Sequence, residues 1–125
     1  MDEEAIGRVL IPAALKVHSA LGPGLLESVY ESCLEHELSS RGLRVQRQEP
    51  VEVRYADLHI ENAYRIDLLL NALVVVELKA VEIVMSVHKS QLLSYLKLGR
   101  YKLGYLLNFN NAHMRDGITR VVNGL

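Results

Sequence analysis

The segment YRIDLLLNALVVVELKA, residues 64–80, constrains the fold more than any other part of the chain. It holds two runs of Leu and Val separated by a short polar break, the pattern of two buried β-strands joined by a turn. Each strand nevertheless carries charge, with Asp67 in the first and Glu77 and Lys79 in the second. Burying an unpaired carboxylate is very costly. We therefore expect these three residues either to lie at the edge of the core or to serve chemistry.

The length of the turn decides whether the two acids can meet. Side chains alternate faces along a strand, so Glu77 and Lys79 share one face of the sheet. Asp67 joins them only if the loop has an odd number of residues, for instance residues 71–73, with Asn71 in a left-handed conformation. A two-residue loop would put Asp67 on the opposite face. The absence of Asn-Gly and Gly-Gly, which are typical of two-residue turns, favours the longer loop.

Two carboxylates beside a lysine form a constellation suited to metal-assisted cleavage of phosphodiesters. Asp67 and Glu77 could hold a hard cation such as Mg²⁺ through oxygen ligands. Such an ion polarises a phosphoryl oxygen and lowers the pKa of a bound water. Lys79 could orient that water or stabilise charge in the transition state. The alternative is a solvated strand face, since Glu-x-Lys alone is common.

The composition indicates one soluble globular domain spanning residues 1–125. Half of the 125 residues are apolar and the formal net charge is −1. This balance argues against a duplex binder driven by overall charge, but it leaves room for a local basic patch such as Lys97, Arg100 and Lys102. The single cysteine, Cys33, excludes an internal disulfide and a zinc site built on several thiolates.

No apolar run approaches the length that spans a bilayer, so no membrane association is expected. The first residues, MDEEAIGRV, are acidic where a signal peptide would be basic. These two features predict a cytoplasmic location.

The order of elements predicted along the chain is α-α-β-β-β-α-β-β. Pro12 should kink or restart the first helix, Gly42 is a plausible cap of the second, and Pro50 should interrupt the first strand. This order predicts an α/β fold in which a mixed sheet is packed against helices. The predicted helices cover 3–20, 25–42 and 84–99, and the predicted strands cover 43–55, the pair within 64–80, 101–110 and 117–123.

Polar residues lie on the apolar stripe of the third predicted helix. At 100° per residue, Gln91 falls with Tyr95 on this stripe, and His88 lies one turn earlier on the same arc. Inward polar groups need partners, and a metal site with bound phosphate would supply them. Alternatively Tyr95 belongs to the core, Gln91 bonds a backbone group and His88 is structural.

The second predicted helix places an acid at the margin of its own stripe. Glu27 projects between Leu34 and Leu38, in the first turn after the GPG sequence, where the helix dipole favours a negative charge. Glu37 also projects into the stripe, near the far end where it can reach solvent. Glu27 is thus either a further acid of the site or only a helix-start carboxylate.

The sequence GPGLLESVYE carries Gly24, Glu27 and Tyr30 at G-x-x-E-x-x-Y spacing and resembles the signature of the bacterial GxxExxY protein family. The later segments YRIDLLLNALVVVELKAVE, HKSQLLSYLKLG, LLNFN and RDGITRVVN also resemble that family, so the resemblance covers nearly the whole chain. The family is placed in the PD-(D/E)XK nuclease-like superfamily. The Pro-Asp that names the superfamily is Ile66-Asp67 in this chain.

The resemblance implies a restriction-endonuclease-like α-β-β-β-α-β core with an extra N-terminal helix. It also implies a Mg²⁺ or Mn²⁺ site in which Asp67, Glu77 and the carbonyl of Leu78 are ligands and Glu27 contributes directly or through water. Lys79 would then position the attacking water. Gln91 and Tyr95 match the Q-x-x-x-Y element of the RecB-like branch and would orient Lys79 or the scissile phosphate.

The function that follows is metal-dependent hydrolysis of phosphodiester bonds in nucleic acid, either DNA or RNA. A homodimer is plausible, because a domain of this size has little surface for gripping a duplex. One alternative is a non-catalytic binding or dimerisation module on the same scaffold. Another is a metal-dependent hydrolase that acts on something other than nucleic acid.

Overall fold

The computed structural model describes all residues, 1–125. Its elements follow the predicted order, with a short 3₁₀ turn at Met114–Gly117 before the last strand. The helices are α1 (Glu3–Leu21), α2 (Glu27–Ser40) and α3 (Ser86–Gly99). The strands are β1 (Val45–Tyr55), β2 (Leu58–Leu70), β3 (Val74–Lys79), β4 (Leu103–Asn108) and β5 (Ile118–Val122).

The five strands form one mixed sheet in the order β1-β2-β3-β4-β5. Only β3 and β4 are parallel, and α3 is the crossover that connects them. The other neighbours are antiparallel. The predicted α/β class, with a mixed sheet flanked by helices in an α-β-β-β-α-β core plus one extra N-terminal helix, is confirmed.

Two apolar clusters hold the helices to the sheet. The larger one joins α1 and α2 to the face that carries Leu68, Val76 and Leu78. The smaller one joins α3 to the opposite face. Glu77 and Lys79 alternate with Leu78 along β3, so their side chains belong to the α3 face.

The turn between β2 and β3 has three residues, as predicted. Leu70 pairs with Val74 and Leu68 with Val76, which leaves residues 71–73 as the loop. Asn71 and Ala72 have φ angles of 50° and 56°, in the left-handed region. Because the register is symmetric about Ala72, Asp67 lies opposite Glu77.

The prediction that Pro12 restarts the first helix is wrong, because α1 runs without a break from Glu3 to Leu21. Pro12 lies on the exposed side of this helix. The carbonyl of Arg8, which would have bonded its missing N–H, can therefore bond water.

The first strand is likewise not interrupted at Pro50, which pairs with Arg65 inside a continuous β1. A proline is tolerated there because β1 is the edge strand of the sheet. The strand β2 begins at Leu58, earlier than the apolar run that predicted it. Its first half forms an exposed hairpin with β1 and lacks the apolar run that marks a buried strand.

Candidate active site where strands β2 and β3 diverge

Two hydrogen bonds from backbone N–H groups to the carboxylates of Asp67 and Glu77 take the place of the β-ladder at this point of the sheet. The backbone N–H of Asp67 donates to Oε1 of Glu77 at 3.1 Å, and the N–H of Leu78 donates to Oδ2 of Asp67 at 2.9 Å. The last backbone pair of the two strands is Leu68 with Val76. The strands therefore diverge at the two acids, and the carboxylates fill the opening that results.

Glu77 is the more buried of the two acids, with 8% of its surface exposed. Burial, followed by the nearby charge of Asp67, raises the pKa of Glu77 to about 9, although Lys79 opposes the shift. The carboxyl group thus holds its proton at neutral pH unless a further positive charge is supplied. A raised pKa of this kind is characteristic of functional sites.

The backbone of Leu78 faces the same opening. Along a strand, the N–H and C=O of one residue point to the same neighbour, and successive residues alternate. Because the N–H of Leu78 points to Asp67, its carbonyl also points towards β2. The next carbonyl, that of Lys79, accepts from Phe109 on the β4 side. The oxygen of Leu78 is thus directed to the side of the acid pair.

Lys79, Gln91 and Tyr95 line one open cleft of about 580 Å³. Its walls are the first turns of α3 and the strand residue Tyr64. Gln91 is exposed on this wall, whereas its projection onto the apolar stripe predicted an inward position. The cleft brings together the lysine and the two α3 residues that the sequence singled out.

Tyr95 connects this cleft to the acid pair. Its ring packs against that of Tyr64, with centroids 5.0 Å apart, and only 6% of the residue is exposed. Burial raises the pKa of Tyr95 to about 12, with further contributions from the charges of Glu77 and Asp67. The hydroxyl therefore remains protonated and can donate a hydrogen bond.

His88 lies on the same cleft but has a structural partner. Its Nδ1 accepts a hydrogen bond of 3.0 Å from the backbone N–H of Met85, at the start of α3. The bond satisfies one of the N–H groups that a helix start leaves free.

The G-x-x-E-x-x-Y spacing has a structural explanation in Tyr30. This fully buried residue stacks on Phe109, and its hydroxyl donates to the carbonyl of Gly22 and accepts from the N–H of Leu25. Gly24, with φ of 99°, makes the turn between these two contacts. Gly24 and Tyr30 thus shape the loop that starts α2.

Glu27 does not join the acid pair in this structure. It is exposed at the first position of α2 and makes no side-chain hydrogen bond. No group of three His, Cys, Asp or Glu side chains in the chain is placed to hold a metal ion. The structure therefore does not position Glu27 as a direct metal ligand.

Glu31, one turn after Glu27, contacts the site through Gln48. Its buried carboxylate accepts hydrogen bonds from Arg47 at 2.7 Å and from the amide of Gln48 at 2.9 Å. The same amide nitrogen lies 3.3 Å from Oδ1 of Asp67. Gln48 has a φ of 52°, uncommon for a residue other than glycine, and it lies in β1 between Arg47 and Glu49, where the ladder with β2 has no pair for it.

Sequence reasoning missed Glu31 and Gln48. The four-residue spacing from Glu27 to Glu31, which puts both on one helix face, was the available signal for Glu31. Nothing in the sequence marks the left-handed conformation at Gln48.

None of the helices has the length and apolar character needed to cross a bilayer. The cytoplasmic location and the homodimer remain predictions.

The model of the PD-(D/E)XK nuclease superfamily matches residues 4–121 of the chain. Comparison with curated proteins and with solved structures finds no significant match. The activity that the superfamily indicates is nuclease-like hydrolysis of phosphodiester bonds in nucleic acid, and its nucleases generally use divalent metals. The match covers the acid pair, the lysine and the cleft described above, and by this match the chain belongs to the PD-(D/E)XK nuclease superfamily.

Proposed function

We propose that this protein is a Mg²⁺- or Mn²⁺-dependent nuclease of the GxxExxY family within that superfamily. The observation that carries the proposal is the pair formed by Asp67 and Glu77, whose carboxylates accept hydrogen bonds from the backbone N–H groups of Leu78 and Asp67 next to the cleft of Lys79. Its substrate is a phosphodiester of DNA or RNA.

The donor set at the pair fits a hard divalent cation. The carboxylates of Asp67 and Glu77 and the carbonyl of Leu78 supply oxygen ligands, which Mg²⁺ and Mn²⁺ prefer. Glu77 is buried next to another acid, so a cation would offset the repulsion that raises its pKa. When bound, the metal would polarise the phosphoryl oxygen and acidify a water. Glu27 is exposed and outside the pair, so any part it takes in holding the metal would be through a bridging water.

Lys79, Gln91 and Tyr95 act from the cleft side. The Lys79 ammonium orients the attacking water and stabilises the negative charge that develops on the phosphate. The Tyr95 hydroxyl, kept protonated, donates to the phosphate or to the water. Gln91 is exposed on the same wall, where its amide can hold Lys79 or a phosphate oxygen.

Gln48 positions Asp67 from the other side. Its amide bridges the buried carboxylate of Glu31 and Oδ1 of Asp67. Residues that hydrogen-bond a metal-binding carboxylate, without contacting the metal, fix the orientation of that carboxylate and strengthen metal binding. Glu31 and Gln48 therefore support the site without touching the reacting atoms.

Substituting Gln48 tests this support. Gln48→Ala should weaken Mn²⁺ binding by about tenfold, because Asp67 loses the group that orients it. Calorimetric titration with Mn²⁺ measures the change. The matched control is Gln46→Ala, which removes a neighbouring amide on β1 that bonds Glu49 instead. Equal affinities for the two variants would contradict the positioning role.

Metal-dependent stability tests the proposed metal site. Mn²⁺ or Mg²⁺ at a hundredfold excess over Kd should add about 2.7 kcal/mol to the free energy of unfolding. Asp67→Asn should lose most of this gain, although Asn keeps an oxygen that can accept the N–H of Leu78. In chelator the variant should melt at or above the wild type, by roughly 1 kcal/mol, because removing the charge of Asp67 lowers the pKa of Glu77 and so reduces the cost of keeping that group protonated.

Thermal melts in EDTA and in each metal measure both the stability gained from the metal and the stability of the metal-free variant. Asp57→Asn, an exposed acid in the turn between β1 and β2, is the control and should keep the full metal gain. A wild type that does not respond to metal, combined with a strongly destabilised Asp67→Asn, would make Asp67 a purely structural hydrogen-bond acceptor.

A further inference from the structure

A second cleft lies between β1 and the C-terminal end of α3. Its volume is about 480 Å³, and its lining includes the cations Arg54, Lys97 and Arg100 and one acid, Glu52. The composition left room for a basic patch that includes Lys97 and Arg100, and the proposed chemistry uses neither of them. The cleft thus concentrates positive charge on a chain whose net charge is near zero.

The acid in this cleft does not neutralise Lys97, in the last turn of α3, or Arg100, which directly follows the helix. The carboxylate of Glu52 lies 3.4 Å from Arg54 and 2.7 Å from His59. Lys97 and Arg100 form no ion pair with any carboxylate. Their charges are therefore available to an anionic partner.

This cationic cleft adjoins the cleft of Lys79. Val51 lines the former, Tyr64 lines the latter, and the two residues are direct partners in the sheet. On α3, Ser94 lines the catalytic side and Leu98, one turn later, the cationic side. The two clefts form one surface between α3 and the β1–β2 pair, which we name the α3 groove.

We propose that the α3 groove carries the sugar–phosphate backbone of a nucleic-acid strand, with Lys97 and Arg100 neutralising phosphates beyond the scissile one. The inference rests on the proposed function, because it names the path of the substrate away from the same site. From Gln91 to Arg100 the helix rises about 13 Å, the axial length of about four phosphates of one strand.

The middle of the groove suits a base. Tyr64 is 40% exposed and its ring packs against Tyr95 between the two clefts. An exposed aromatic beside a cationic track is the arrangement by which proteins hold strands without reading their sequence. Tyr64 therefore stacks a base while the α3 cations hold the backbone.

The test measures how tightly the protein binds a short labelled DNA strand and the matching duplex in EDTA. Fluorescence anisotropy gives the affinity at several salt concentrations between about 50 and 200 mM. The double variant Lys97→Gln/Arg100→Gln should lose roughly tenfold in affinity at intermediate salt. The slope of log K against log salt should fall by about 1.4 for the single strand and about 1.8 for the duplex.

The matched control is Arg8→Gln/Arg44→Gln, which removes two exposed cations that also lack ion pairs but lie on α1 and before β1. The control should keep the wild-type affinity and slope. Three results would contradict the role of the α3 groove. They are an equal loss of affinity in both double variants, no loss of affinity in either, and a wild type that binds neither probe. Binding is measured without metal, so it does not depend on cleavage. A protein that binds DNA as expected but does not cleave it would support the α3 groove as a binding surface and contradict only the proposed nuclease activity.

Discussion

Replacing Glu77 with Gln should stabilise the metal-free protein by about 3 kcal/mol at pH 8, whereas most substitutions at buried positions destabilise. The pKa of Glu77 is raised to about 9 by burial and by the charge of Asp67. Each pKa unit above the ordinary value corresponds to about 1.4 kcal/mol of free energy that the folded protein loses at a pH above that value. Relaxation of the site reduces the sum of these losses. Gln keeps an oxygen that can accept the N–H of Asp67, so only the ionisable group is lost.

The same shift sets the direction of the pH dependence. Between the ordinary pKa of 4.5 and the raised value of about 9, the folded state holds a proton that the unfolded state has released. Stability contributed by Glu77 is therefore fully present below pH 4.5 and is lost as the pH rises towards 9. Glu77→Gln removes this loss of stability at higher pH and should flatten the curve of stability against pH.

Urea unfolding of both proteins in EDTA at several pH values between 5 and 9 measures the effect. Glu61→Gln, an exposed acid on β2 without an ion pair, serves as the control and should follow the wild-type curve. A Glu77→Gln protein that is less stable than wild type at pH 8, or that keeps the wild-type slope, would mean that Glu77 is ionised and well solvated.

The sequence favoured a meeting of the two acids without settling it, because the meeting depends on the length of the turn between their strands. The apolar runs around Asn71 define two strands, and the missing Asn-Gly or Gly-Gly favours a three-residue loop. An odd loop fixes the register, and the register puts Asp67 opposite Glu77. The strand pattern therefore predicted a shared face on the condition of an odd loop, and the structure has such a loop at residues 71–73.

The support around Asp67 was not predictable, since it depends on a single backbone conformation. Gln48 has a φ of 52°, where its amide reaches both Glu31 and Asp67. No glycine or asparagine marks this position, so the pattern of β1 predicts an ordinary extended residue. The helical projection of α2 pointed to Glu27, while the tertiary contact uses Glu31, one turn further along.

The position of Gln91 shows where a helical projection fails. Its angle on the helix put it among buried side chains, and the structure leaves it exposed. The first turns of α3 border an open cleft, so a residue on the inward arc there meets solvent rather than core. A projection gives the direction of a side chain but not what lies opposite.

Replacing Lys79 with Met should lower cleavage by at least about a hundredfold, which is the largest activity effect that we expect. Removing one group that stabilises transition-state charge typically costs a factor of about 10² to 10³. Met retains much of the apolar stem of lysine, and Lys79 is only half-buried, so folding should be preserved. The matched control is Lys16→Met on α1, which removes an exposed lysine on the opposite side of the sheet and only a surface ion pair with Glu37.

The most direct measurement is incubation of wild type, Lys79→Met and Lys16→Met with labelled single- and double-stranded DNA and RNA, in Mn²⁺, Mg²⁺ and EDTA. We expect cleavage of at least one substrate that requires metal, is retained by Lys16→Met and is lost by Lys79→Met. Metal-dependent cleavage at equal rates by all three proteins would show that the activity does not arise from this site. Absence of cleavage by a wild type that is stabilised by Mn²⁺ would contradict the nuclease and favour a metal-binding module that does not catalyse.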